Sequence, residues 1–200
     1  MITHIIFDLG NVLIEIYPGR TISALSDYCK LPCETLQHFF LSEIHLQFMG
    51  GELTPVEFHQ SFKKHYSRDI TYEQFVDAWA KLIGPAKNGI PEMVESLSAR
   101  YDLAVCSNTD PLHWQLARSK DLFFSYFKNF FLSFELNCNK PSPDIFGIIL
   151  NKLSVSPSNV IFIDDTPANI NIAKQLDFKT LHATNAAQII QGLIHYNIYL

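Results

Sequence analysis

The sequence has no block of like charges, no long apolar run, no Cys-x-x-Cys pair and no internal repeat. Without a basic tract there is no polybasic patch for a membrane surface. The formal net charge of −5 also argues against a nucleic-acid partner, whose binders present a basic face or stripe. No apolar run approaches the roughly 20 residues that span a bilayer, so no membrane association is expected. The first apolar run, Ile5-Ile6-Phe7, is short and stops at Asp8, unlike the apolar region of a signal peptide. Cys29, Cys33, Cys106 and Cys138 lack zinc-ribbon spacing and read as small buried or half-buried thiols. A cytoplasmic protein with reduced cysteines is the expectation.

What remains is an ordinary globular composition, 48% apolar and 18% charged, over 200 residues. That length serves one cored domain, or one domain with a modest insertion. Short apolar runs at Thr3 to Phe7, Leu103 to Cys106, Val160 to Ile163 and Thr180 to His182 read as strands of a parallel sheet. The Phe-rich segment Asn129 to Ser133 is a fifth candidate. From about Ile90 onward strand and helix patterns alternate, which predicts a Rossmann-like α/β fold. The segment between the first and second runs shows no convincing strand. Thr21 to Cys29, Cys33 to Ser42, Pro55 to His65 and Tyr72 to Leu82 instead carry helical periodicity. Thr54 and Pro55 read as the N-cap and first residue of one such helix. The expected organisation is an α/β core of residues 1–15 and 88–200, with an inserted α-helical cap of residues 16–87.

In such sheets ligands bind at the carboxyl ends of the strands. Asp8, Ser107 and Asp164 each follow a candidate strand, so three polar groups converge on one edge. Asp8 can ligate a metal or attack an electrophile there, although alone it reads equally as a turn or helix cap. Asp164 and Asp165 repel one another unless a cation or strong donor stands beside them. Magnesium, content with one or two carboxylates and several waters, suits that pair; Asp165 alone could also be an N-cap. Ser107, Asn108 and Thr109 suit a phosphate at a strand-to-helix turn, and are also common capping residues. Lys140 is presented from a turn stiffened by Pro141 and Pro143, where a fixed ammonium can neutralise a phosphate. Taken singly it is a surface lysine.

Together and in this order, the four segments resemble the motifs of the haloacid dehalogenase superfamily. Phe7-Asp8-Leu9-Gly10-Asn11-Val12 is similar to the first motif, Ser107-Asn108-Thr109 to the second, Lys140-Pro141 to the third, and Asp164-Asp165 with Asn169 to the fourth. The helical insertion lies where subclass I members carry their cap. Arg20, Gly51-Glu52-Leu53-Thr54 and the placement of His113 resemble a narrower group, bacterial phosphatases of sugar phosphates such as glucose 1-phosphate. The resemblance implies hydrolysis of a small phosphorylated metabolite, on a monomer or homodimer, through a phosphorylated Asp8. It implies Mg²⁺ held by Asp8, the Gly10 carbonyl and Asp164, with Asp165 acting through a water or an outer hydrogen bond. Ser107 and Lys140 would hold the phosphoryl group. Asn11, Asn108, Arg20 and His113 are further candidates for phosphate or substrate binding, with a surface salt bridge the rival reading of Arg20.

One position departs from the pattern. Most phosphatases of the superfamily carry a second aspartate two residues after the nucleophile, as general acid and base, and this chain has Gly10. Loss of such a group costs a factor of about a hundred to ten thousand. His113 or His45 could replace it, a good leaving group could make it dispensable, or the chain could bind phosphate with little turnover. A packing histidine is the competing reading of His113. Dehalogenases of the superfamily also lack the second aspartate, so 2-haloacid dehalogenation is the alternative chemistry. The paired Asp164-Asp165 counts against it.

Overall fold

The computed structural model describes residues 1–120 and 122–200. In chain order its elements begin with β1 (His4–Phe7), β2 (Ile14–Ile16) and the helices α1 (Pro18–Cys29), α2 (Cys33–Leu36), α3 (Glu43–Met49), α4 (Pro55–Tyr66) and α5 (Tyr72–Ala80). Next come β3 (Ile83–Ala86), α6 (Ile90–Ser98), β4 (Asp102–Ser107), α7 (Pro111–Lys120), β5 (Asn129–Leu132), α8 (Ser133–Leu136) and α9 (Pro143–Leu153). The chain closes with β6 (Val160–Asp164), α10 (Pro167–Gln175), β7 (Lys179–His182) and α11 (Ala186–Ile194).

Five strands form one parallel sheet in the order β5-β4-β1-β6-β7. The central strands are apolar between their ends because helices cover both faces. Ile5 and Phe7 pack with α6, α7 and α11 on one face, while Ile6, Ala104, Cys106 and Phe162 pack with α9 and α10 on the other. Register then fixes the chemistry. Phe7 pairs with Val105 on one side and Ile163 on the other. The next residues along each strand, Asp8, Cys106 and Asp164, therefore emerge at one level of the carboxyl edge.

Helices α1 to α5 close around a separate cluster of aromatic side chains. Phe39, Phe48, Phe58, Phe62, Phe75 and Trp79 are all fully or almost fully buried there. Each such side chain contributes roughly 1.5–3 kcal/mol relative to exposure. Helix α4 begins as expected: the Thr54 hydroxyl accepts from Glu57 N, and Glu57 returns a bond to Thr54 N at 2.8 Å.

Two expectations for this segment are corrected. The helix expected over residues 33–42 stops at Leu36, and a short 3₁₀ turn (Phe39–Leu41) precedes a separate α3. The cause is Ser42, whose hydroxyl accepts from His45 N and donates to Phe39 O, capping a new helix where the old one was read to continue. The segment also contains strands. β2 and β3 pair antiparallel in a two-stranded ribbon at the two ends of the helical segment. Both are short, and β3 contains Gly84 and Pro85, poor strand formers that hide the element from sequence patterning.

Candidate active site

Lys140 is the centre of the site. Its side chain is almost wholly buried, and its Nζ lies 2.7 Å from Asp8 Oδ1, 2.7 Å from Asp164 Oδ2 and 2.7 Å from the Cys106 carbonyl oxygen. An ammonium has three hydrogens, and these acceptors use all of them. Burial alone would favour a neutral amine. The negative charges of Asp8 and Asp164 outweigh it and push the Lys140 pKa upward, so the amine stays charged. Its backbone is pinned by Asn108, whose amide donates to Lys140 O at 2.7 Å and accepts from Lys140 N at 2.8 Å.

Asp164 is fully buried and satisfied on both oxygens. Asn169 Nδ2 lies 3.0 Å from each, and Thr166 N donates to Oδ1 at 2.8 Å. Asp165 accepts from Asn11 Nδ2 at 3.1 Å. Asn11 adopts φ +57°, a left-handed conformation that asparagine tolerates better than most residues, and this turns its amide toward Asp165. Asp8 differs from the others. Lys140 holds its Oδ1, while its Oδ2 has no hydrogen-bond partner among the described residues. Burial raises the Asp8 carboxyl to about 7 against the opposing pull of Lys140, with Asp164 adding to the rise.

Carboxylate oxygens of Asp8, Asp164 and Asp165 lie within 4.8 Å of one another. Three carboxyl groups stand against one ammonium, and a divalent cation would offset the negative charge that Lys140 leaves uncompensated. The all-oxygen donor set fits magnesium, and a cation there would draw the Asp8 pKa back down. The Asp8 and Asp165 carboxylates open onto a cavity of about 250 Å³ lined also by Gly10, Asn11, Ser107, Asn108 and Lys140.

The chain matches the haloacid dehalogenase-like hydrolase family over residues 2–177. It belongs to that family. Among curated relatives it is 28% identical to D-ribitol-5-phosphate phosphatase of Bacteroides thetaiotaomicron, an alignment that covers 96% of this chain and 97% of that one. A solved HAD-like family hydrolase of Porphyromonas gingivalis superposes with a TM-score of 0.87 at 26% identity, covering all of both chains. A HAD family enzyme of B. thetaiotaomicron, solved in complex with magnesium and inorganic phosphate, superposes at 0.83 with 26% identity, over 90% of this chain and 93% of that one.

Within this haloacid dehalogenase-like fold, Asp8, Gly10, Asn11, Ser107, Asn108, Lys140 and Asp165 come together around the one cavity, with Asp164 bonded beneath it. Two expected members do not join them. Arg20 is exposed, its guanidinium stacked 3.8 Å over the Tyr17 ring, and it does not line the cavity. His113 is buried with both ring nitrogens engaged, Nδ1 at 2.6 Å from Asp110 Oδ2 and Nε2 at 2.9 Å from Trp79 O. Its ring stacks on Trp79, so it is tied up in packing and unavailable to a substrate phosphate.

Two contributors escaped the sequence. Asp110 caps α7 by accepting from Leu112 N and His113 N, and also accepts from the Trp79 indole. Burial pushes its carboxyl up, but His113 and these donors hold it below the ordinary range. The Asp110-Pro111 pair is a helix-start signature that could have revealed the cap. Cys106 contributes only its carbonyl; burial raises its thiol to about 12, which leaves it unionised. A backbone acceptor leaves no mark in the sequence.

Proposed function

We propose that this protein is a magnesium-dependent phosphatase of small phosphomonoesters, with sugar or polyol phosphates the leading class. The observation that carries the reading is Asp8: one oxygen fixed by Lys140, the other without a partner among the described residues, on a cavity where three carboxyl groups face one ammonium. A phosphatase relative aligned over nearly the whole chain supports it.

Asp8 Oδ2 attacks phosphorus, the ester oxygen leaves, and water then hydrolyses the aspartyl-phosphate. Asp8, Asp164 and the Gly10 carbonyl are the residues that would hold Mg²⁺, with Asp165 and its Asn11 bond behind them. When bound, the ion supplies charge neutralisation for the phosphoryl group. Lys140, whose hydrogens are all in use, orients the nucleophile and offsets its charge. It can reach a phosphoryl oxygen only by exchanging one of those bonds. The Ser107 hydroxyl, at the β4 end, is the group we assign to the phosphoryl oxygens. Catalysis of this kind is positioning plus electrostatics.

Residues 16–87 act as the cap of the core formed by residues 1–15 and 88–200. This division follows the separate aromatic cluster of α1 to α5. A cytoplasmic location is consistent with four free cysteines and with no described helix long and apolar enough to cross a membrane. The reading is tested by hydrolysis of an aryl phosphate with magnesium, with excess chelator, and with Asp8→Asn. Turnover should require the metal and vanish in the variant. Absence of turnover with any divalent metal would contradict it, and halide release from a 2-haloacid despite chelator would put dehalogenation in its place.

A further inference from the structure

A second cavity, of about 100 Å³, adjoins the first and shares Gly10, Ile16, Ser107 and Asn108 with its wall. At the ~30 Å³ that one water takes up in the liquid, it offers on the order of three water-sized sites. That is room for a short chain of atoms and too little for a nucleoside. Aliphatic side chains such as Leu9, Ile14, Met49 and Ile83 line one part of it, Thr109 and the Asp110–His113 pair line another, and α3 contributes His45.

His45 is held rigidly. It is 7% exposed, and its ring meets Phe40 and Trp79 edge-on, each with centroids 5.4 Å apart. Its Nδ1 lies 2.8 Å from the Phe40 carbonyl oxygen. A carbonyl only accepts, so Nδ1 carries the proton. Burial lowers the ring's pKa below the ordinary 6.5, with the Phe40 bond opposing, so the ring is neutral. A neutral ring protonated at Nδ1 has a bare lone pair at Nε2, and no described group bonds to that atom.

We propose that this second cavity receives the leaving group, and that His45 Nε2 accepts a hydrogen bond from a hydroxyl of that group. His45 thereby selects short, uncharged polyol or sugar phosphates. The inference rests on the phosphatase reading and names the substrate class of that site. An acceptor lone pair repels a second phosphate or a carboxylate, and no described lysine or arginine lines this cavity to compensate a charge. The same tautomer shows what His45 does not do. With no proton at Nε2 it cannot donate one to the departing oxygen, so it does not replace the acid missing at Gly10.

The test compares kcat/KM for a pentitol 5-phosphate and for pentyl phosphate, in wild type, His45→Leu and His45→Gln, with a thermal melt confirming that each variant folds and aryl-phosphate turnover measured on wild type. Wild type should prefer the pentitol ester. His45→Leu should lower that preference about tenfold, the value of one neutral hydrogen bond, chiefly through KM. His45→Gln, whose amide oxygen also accepts, should restore part of it. An equal wild-type rate on both esters, or an unaltered preference in folded His45→Leu, overturns the inference while leaving the phosphatase reading standing. A wild type inactive on aryl phosphate overturns that reading, and the inference with it.

Discussion

At the scale of single residues, Gly10 stands where most phosphatases of the superfamily carry a general acid. A Cβ built there meets only Ile16 side-chain carbons, at 3.4 and 3.5 Å, and the backbone φ is not positive. Gly10→Asp is therefore sterically tolerable. It should raise kcat on alkyl phosphates by about a hundredfold, the lower end of general-acid effects, and should alter aryl-phosphate turnover much less. An equal gain on both ester types would mean that the leaving group needs no proton. Lys140 gives a second expectation. Lys140→Met leaves Asp8 and Asp164 buried without their counter-charge, a loss of about 3–5 kcal/mol by urea denaturation. Added Mg²⁺ should recover part of it, since the ion occupies the same negative site.

His45 carries a pH signature. Its folded pKa is depressed, so the unfolded chain binds a proton first as pH falls below 6.5. Its contribution to stability is complete above that value and declines as pH drops toward the folded pKa. Wild type should thus lose more stability than His45→Gln between pH 7.5 and 5.5, read from paired denaturation curves. Parallel curves would show that His45 titrates alike in both states.

Among elements, the Gly50-Gly51 turn between α3 and α4 packs the helical segment against the sheet core. Gly51 has φ +77°, and a Cβ there would overlap the Phe134 carbonyl. Nearby, the Ser133 hydroxyl accepts from Thr109 N and donates to the Met49 carbonyl at 2.7 Å, linking α3 to the loop after β4. Gly51→Ala should cost about 1–3 kcal/mol in thermal or chemical denaturation, from strained φ and lost contact together. A cost of a few tenths would show that the turn moves freely.

The elements also explain how much of the site the sequence revealed. Asp8, Ser107 and Asp164 were legible because each ends an apolar run, and parallel register brings such ends level. Lys140 was legible from its prolines and from motif order. Arg20 lies on the Tyr17 ring and His113 lines the neighbouring cavity, bound to Trp79 and Asp110, placements set by tertiary contacts that periodicity does not encode. The role of Asn108 changed for the same reason: its amide grips the Lys140 backbone, thirty-two positions away. The β2–β3 ribbon stayed hidden because strands of three and four residues, one with Gly84-Pro85, carry little pattern.

For the whole molecule, a parallel sheet brings Asp8 and Asp164 to one edge, where Lys140 and Asp165 join them, and five helices stand beside it with their own core. Because Mg²⁺ binds the folded carboxylate cluster and not the unfolded chain, saturating ion should raise the melting temperature, by an increment that Asp164→Asn removes. Asn preserves the shape of residue 164 but takes away its charge.

The most direct measurement is of the covalent state of Asp8 during turnover. With Mg²⁺ and a phosphomonoester, acid quenching followed by borohydride reduction should convert residue 8 to homoserine, seen by mass spectrometry of its peptide. The conversion should be absent with chelator. Magnesium-dependent turnover with an unmodified Asp8 peptide, and with activity retained by Asp8→Asn, would contradict nucleophilic attack by this residue.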